Sequence, residues 1–153
     1  HKWNFGGFGV FNFGIFRADE PDKCLGVAVY GYMKNPTAKI FHHPNPKAWI
    51  CELNRLWIDD CLGKNAETVL IAASIKLIRK MDANIVAIQS FADGRLGCGT
   101  IYKAANFKYY GFHYTRFLRH VRTGEMKHEQ TFTNSMQKAG YLRQNIEITK
   151  FSV

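Results

Sequence analysis

Asp93 and Tyr102 stand on either side of a glycine-rich turn, Gly94 to Gly99, in a chain of 153 residues. A carboxylate can take a proton as a general base, and a phenol can give one or donate a hydrogen bond, when burial or neighbours move their pKa values toward neutrality. The same two residues also suit a turn cap and a core ring, and spacing alone leaves both roles open. Ser90, at the polar end of an apolar run, would sit beside them.

Three further groupings could carry chemistry. At Leu62-Gly63-Lys64-Asn65-Ala66 the free N–H groups of a helix start, the helix dipole and the Lys64 ammonium could hold a phosphate, and an ordinary helix start capped by Asn65 accounts for the same residues. His42 and His43, with His113, His120 or His128, offer imidazoles of the kind that bind iron or zinc, although no pair has a ligand spacing; loop histidines that touch phosphate fit as well. From Lys103 to His128 six cations (Lys103, Lys108, Arg116, Arg119, Arg122 and Lys127) face a single acid, Glu125, and six aromatic rings run between them. Cations for phosphate and rings for an unpaired base are what a base-modifying enzyme needs, and about half of the rings must serve a core if the segment is a strand. Arg116, Arg119, Arg122, Lys127 and His128 are the expected nucleic-acid contacts.

The elements that must position these groups follow from pattern. The stretch 24–33 is β-branched and aromatic and reads as a core strand ended by Lys34-Asn35-Pro36. A second strand is expected over Trp49 to Ile58; Glu52, Asn54 and Arg55 interrupt it, which costs free energy unless each finds a partner. A helix from about Ala66 to Arg79 or Lys80 is expected to turn Val69, Leu70, Ala73, Leu77 and Ile78 inward. Ile85 to Phe91 reads as a buried parallel strand whose carboxyl end faces a site. A short helix near Thr100 to Ala105, an aromatic strand from Phe107 to Tyr114, a hairpin from Phe117 to Met126 turning at Thr123-Gly124, a helix near Asn134 to Ala139 and a last strand near Ile146 to Phe151 complete the order. The Phe- and Gly-rich start, Trp3 to Phe16, has no clean period and is expected to be irregular or weakly stranded. One α/β (α+β) domain with a mixed central sheet flanked by helices results, holding one active site.

Composition narrows the partners. A hydrophobic share of 46% excludes a disordered polymer, and no apolar run reaches bilayer length. Four separated cysteines without a CxxC pair fit unpaired thiols in a reducing cytoplasm, and His1 is followed by nothing that resembles a signal peptide. A net charge of +9 favours a polyanion, nucleic acid before anionic cofactors or membrane surfaces.

The spacing of Tyr102-Lys103-Ala104-Ala105-Asn106-Phe107 resembles the Tyr-x-x-x-Gly-Phe signature of the GNAT N-acetyltransferase superfamily, with Asn106 at the glycine. Glu52 to Ile58, Lys64 to Thr68, Ser90 to Asp93 and Gly99 to Phe107 with Tyr110-Gly111, in that order, resemble the motif set of the phage Mom proteins over roughly residues 50 to 128. That resemblance implies a single GNAT-like domain that converts adenine in double-stranded phage DNA to an N6-carbamoylmethyl-type derivative and protects it from restriction in the host cytoplasm. It makes Asp93 and Tyr102 the catalytic pair and gives Glu52, Arg55, Lys64, Asn65, Ser90 and Asn106 to the site. Cys61 to Ala66 keeps only the last small residue of the superfamily's pyrophosphate loop, so an aminoacyl donor such as charged tRNA stands beside an acetyl-CoA-type one. The stretch after Asp93 has Cys98 near a position where the pattern has His. Iron is implied by the family alone, with His42 or His43 as its nearest ligands. An acetyl-CoA-dependent N-acetyltransferase of protein, small amine or aminoacyl-tRNA, and a DNA-binding module without catalysis, are the competing expectations.

Overall fold

The computed structural model describes residues 9–33, 43–94, 97–112, 114–128 and 146–152, with 115, 128 and 146–152 described by their backbone. It is a mixed α+β structure of two compact units, residues 1–90 with 101–107 and residues 91–100 with 108–153. The expected helix near Asn134 to Ala139 lies outside the described residues.

The first unit is built on a four-stranded sheet in the order β1 (Gly9–Arg17), β2 (Glu20–Tyr32), β3 (Trp49–Ile58), β4 (Ile85–Gln89). β1, β2 and β3 pair antiparallel, and β3 pairs parallel with β4. Parallel neighbours need a crossover, supplied by a 3-10 turn, Asp60–Leu62, and helix α1, Ala66–Met81. Asp59 closes that turn by accepting the Cys61 N–H at 2.9 Å, which with the Cys61 thiol holds its carboxyl below the usual range. Close approach at the sheet requires a glycine at Gly26, where a Cβ would stand 3.1 Å from the Trp57 carbonyl oxygen and 2.6 Å from the end of Ile58.

Alternation assigns the two faces of this sheet. Phe11, Ala28, Tyr30, Cys51 and Leu53 point to one side and pack with Leu70, Ile71 and Ile78 of α1 in the core. Helix α1 buries Leu70, Ile71, Ser74 and Ile78, whereas Val69, Ala73 and Leu77, expected inward, are exposed, because the buried stripe is turned by one residue and includes a polar one. Ser74 fits the buried stripe because its hydroxyl bonds the Leu70 and Ile71 carbonyls at 2.7 and 2.9 Å and receives Tyr30 from β2 at 2.6 Å. Carbonyls only accept, so the Tyr30 phenol donates to Ser74. Burial pushes the Tyr30 phenol above its ordinary range, partly offset by that bond.

Several expectations shift. From Gly9 on, the Phe- and Gly-rich start forms β1, because β2 offers it an antiparallel edge, and Trp3 to Phe8 lie outside the described residues. β4 is a half-buried strand beside β3 alone among the described residues, rather than a fully buried central one. Helix α2 spans Thr100–Ala104, and residues 107–112 form no strand. The aromatic run has strand propensity, yet among the described residues it takes strand structure only from Tyr114 on.

The second unit holds a three-stranded antiparallel sheet in the order β6 (Met126–His128), β5 (Tyr114–His120), β7 (Ile146–Ser152). β5 and β6 make the expected hairpin; Gly124, φ +70°, sits in the turn and its N–H bonds the His120 carbonyl at 2.8 Å. Phe117 and Leu118 are its buried apolar residues. All four cysteines are free thiols. Among the described residues no helix is long and apolar enough to cross a membrane.

Candidate functional site

The polar interruption of β3 organises the sheet face turned away from α1. Tyr30 pairs with Leu53 and Val29 with Arg55, so Asn54 is an additional residue, a β-bulge. Glu52 and Gln89 are paired across β3 and β4 and therefore share that face. The Glu52 carboxylate accepts the Asn54 amide at 3.1 Å on one oxygen and the Gln89 amide at 3.0 Å on the other. Charge-assisted bonds of this kind meet the cost of a half-buried carboxylate. With its NH2 committed to Glu52, Asn54 buries its Oδ1 without a hydrogen-bond partner among the described residues. Arg55 is exposed and donates to the Asn54 carbonyl at 2.8 Å. Ser90, just past β4, donates to the Leu53 carbonyl at 3.4 Å, so it closes the carboxyl end of β4 onto β3.

On the α1 side, Tyr102 of α2 packs against the core cluster with Ala105 and Phe107. The Phe107 N–H bonds the Tyr102 carbonyl at 2.9 Å, the Asn106 N–H bonds that of Lys103 at 3.0 Å, and Asn106 has φ +62°. This is a Schellman ending with Asn106 in the left-handed position that glycine or asparagine adopts at low cost. Its usual apolar contact is also present: the Tyr102 and Phe107 rings meet edge to face at 5.6 Å. The five-residue separation of the two aromatics is thus a helix stop, whatever else it serves. Among the described residues the Tyr102 hydroxyl has no hydrogen-bond partner.

At the start of α1, Asn65 occupies the N-cap position with φ +70° and makes no side-chain cap bond. The expected cap is corrected: in the left-handed conformation its side chain turns away, and its backbone carbonyl instead receives Thr68 Oγ1 at 2.8 Å and Val69 N–H at 3.0 Å. Lys64 beside it is exposed.

Glu52, Asn54, Arg55, Gln89 and Ser90 are therefore gathered by β3 and β4, while Tyr102 packs against the cluster on the other side of the sheet and Asn106, which ends its helix, is exposed. Asp93 is half-buried and lies in the second unit, on the segment after β4. Arg116, Arg119 and Arg122 are exposed there, and Lys127 is paired with Glu125 at 3.1 Å. His128 closes β6. His43 accepts the Asn45 N–H on Nδ1 at 3.2 Å, and His42 lies outside the described residues. Among the described residues no three His, Cys, Asp or Glu side chains gather as metal ligands, so no iron site is built from them. Gln89 joins this group without being among the residues that the sequence singles out. Its only signal was an amide ending an apolar run, opposite a carboxylate that needed a partner.

The sequence profile of the Mom protein family matches residues 1–153. The chain belongs to the Mom protein family. It is similar to the methylcarbamoylase Mom of Escherichia phage Mu, 35% identical over 141 residues, which are 88% of this chain and 56% of that protein. The chain thus spans little more than half the length of that relative. In this Mom-family chain the four stretches that carried the resemblance fall on β3, on the start of α1, on the exit of β4 and on α2 with its Schellman ending.

Proposed function

We propose that the chain modifies DNA, placing a carbamoylmethyl-type group on adenine N6, with Asp93 and Tyr102 as its acid–base pair. Membership of the Mom family carries this reading, because the relative from phage Mu bears the name methylcarbamoylase. Adenine N6 is a poor nucleophile, its lone pair being delocalised into the ring. The bond from N6 to the incoming carbon forms as N6 gives up one proton, to Asp93 directly or through water; the donor's leaving group departs with its electron pair and takes a proton from Tyr102. A phenol hydroxyl without a partner among the described residues suits the second role.

The Glu52, Asn54 and Gln89 network lies on the face of the sheet away from Tyr102, so in this proposal it acts by fixing β3 against the end of β4, from which Ser90 leads toward Asp93, with Arg55 exposed beside it for a phosphate. The GNAT-like character of the fold belongs to the proposal as well. Its support is the β1 to β4 sheet with the α1 crossover and the Tyr102 to Phe107 helix ending. Lys64 and Asn65 would serve a phosphate-bearing donor whose methylene carbon carries the leaving group, and the charge of +9 suits DNA.

The test is direct. The chain is expressed in bacteria, cellular DNA is digested to nucleosides and deoxyadenosine is examined by mass spectrometry. A carbamoylmethyl-bearing deoxyadenosine is expected, and Asp93→Asn and Tyr102→Phe should each reduce it by about a hundredfold or more. Unmodified deoxyadenosine from cells holding the folded protein overturns the assignment.

A further inference from the structure

Tyr30 and Ser74 carry two hydroxyls into the core of the first unit, and the proposed chemistry uses neither. They are 0% and 1% exposed and bond each other at 2.6 Å. Ala28, Leu53, Leu70, Ile71 and Ile78 share their cluster. Phenylalanine with alanine would fill the same space without taking two hydroxyls from water, and a hydrogen bond made inside returns little beyond that cost. The heavy atoms of the pair are held in place. Phe13 meets the Tyr30 ring edge to face at 5.9 Å, and the Ser74 hydroxyl has the Leu70 and Ile71 carbonyls at 2.7 and 2.9 Å. One proton with two acceptors gives the Ser74 hydroxyl two orientations, so the dipole can turn while no ring moves.

Tyr102 packs against this cluster within the same unit. Negative charge on Tyr102 would push the Tyr30 phenol up further, so the two side chains lie within electrostatic reach of one another. A phenol that gives its proton away is left with negative charge on its oxygen, and against a wholly apolar cluster that charge is costly. Polar groups already in place lower the cost without reorganisation. Cys51 of the same cluster is committed to the Gly31 carbonyl at 3.4 Å, which leaves the hydroxyl pair for this task.

We propose that Tyr30, held by Ser74, is a positioning residue for Tyr102, seating its ring and offsetting the charge that develops on its oxygen as the proton leaves. This rests on the reading of Tyr102 as the acid. The Tyr102 proton goes to the leaving group, and Tyr30 and Ser74 keep theirs throughout.

The experiment measures how fast modified deoxyadenosine accumulates in cells, per amount of folded protein. The full chain carries Tyr30→Phe, or Tyr30→Phe with Ser74→Ala, each with Tyr102 present and in Tyr102→Phe. Tyr30→Phe keeps the ring and leaves Ser74 its carbonyls, and the double variant removes both hydroxyls together, so both should unfold in urea at a midpoint close to wild type. The rate should nevertheless fall about tenfold in each, less than the loss of about a hundredfold or more for a group that touches the reacting atoms. In Tyr102→Phe the same changes should alter the remaining rate by less than about twofold, because no phenol is left to act on. A wild-type rate in the double variant overturns the proposal. So does an equal loss in both backgrounds, which a merely structural role would give. Tyrosine labelled with carbon-13 at Cζ supplies a readout independent of turnover. The Tyr102 signal, identified by its absence from Tyr102→Phe, should move in Tyr30→Phe while that of exposed Tyr109 stays, and an unmoved Tyr102 signal overturns the proposal as well. The two claims separate. Full modification by Tyr102→Phe removes Tyr102 as the acid and the proposal with it, whereas loss there with none in Tyr30→Phe leaves the acid and removes its positioning residue.

Discussion

Gln89 Nε2 of β4 donates to Glu52 Oε2 of β3 at 3.0 Å, across the parallel pair that joins the two strands of the α1 crossover. With Asn54 on the other oxygen, the carboxylate ties the bulged strand to its neighbour. Glu52→Gln replaces an all-acceptor group by one whose NH2 confronts an amide donor. It should cost about 1.5–3 kcal/mol in urea unfolding. Arg55→Ala, at an exposed position, should stay within about 0.5 kcal/mol. Equal costs for the two would show that the network contributes nothing.

The helix ending at Asn106 separates the structural meaning of the Tyr102 to Phe107 spacing from the chemical one. At φ +62°, Asn106→Gly should be within about 0.5 kcal/mol of wild type, and Asn106→Ala should lose about 1–2 kcal/mol in a thermal melt. Tyr102→Phe retains the 5.6 Å ring contact and removes only the hydroxyl. It should melt like wild type within about 0.5 kcal/mol and still lose modification. A large loss of stability instead would place the phenol in the fold.

Cys51, fully buried in the core, supplies a pH dependence. Burial pushes its thiol from the ordinary 9.0 up to about 11. Below pH 9 the thiol is protonated in both folded and unfolded chains, and its contribution is fully present. Above that, the unfolded chain ionises first, so stability falls as pH rises through the folded value. The loss between pH 9 and 11 should be about 2 kcal/mol in urea unfolding under reducing conditions, and Cys51→Ala should flatten that part of the profile. The Tyr30 phenol, also raised by burial, acts in the same direction above 10.0.

Arg122, exposed in the β5–β6 turn, tests the electrostatic part of DNA binding. Arg122→Ala should weaken duplexes of every sequence alike and lower the slope of log affinity against log salt by about 0.9 for the phosphate contact removed. A sequence-selective loss with an unchanged slope would assign Arg122 to a base instead.

The strand Trp49–Ile58 and helix α1 were legible in the sequence, the first to the residue and the second within two, because strong apolar pattern and turn residues act locally. So were the hairpin at Thr123-Gly124 and the last strand. Local pattern misjudged the partners. Residues 107–112 have strand composition and form no strand, while Gly9 to Arg17, weak in pattern, pairs with β2.

What the sequence determined by itself was therefore β3, α1, the hairpin at Thr123-Gly124, the basic charge and membership of the Mom family. Only the tertiary structure decided which groups meet. Ser74 is buried with a tyrosine 44 positions away as its partner, and Glu52 finds Gln89 across 37 positions. Propensity and period are properties of neighbours along the chain. Register and the satisfaction of buried polar atoms are properties of neighbours in space, and no local window contains them.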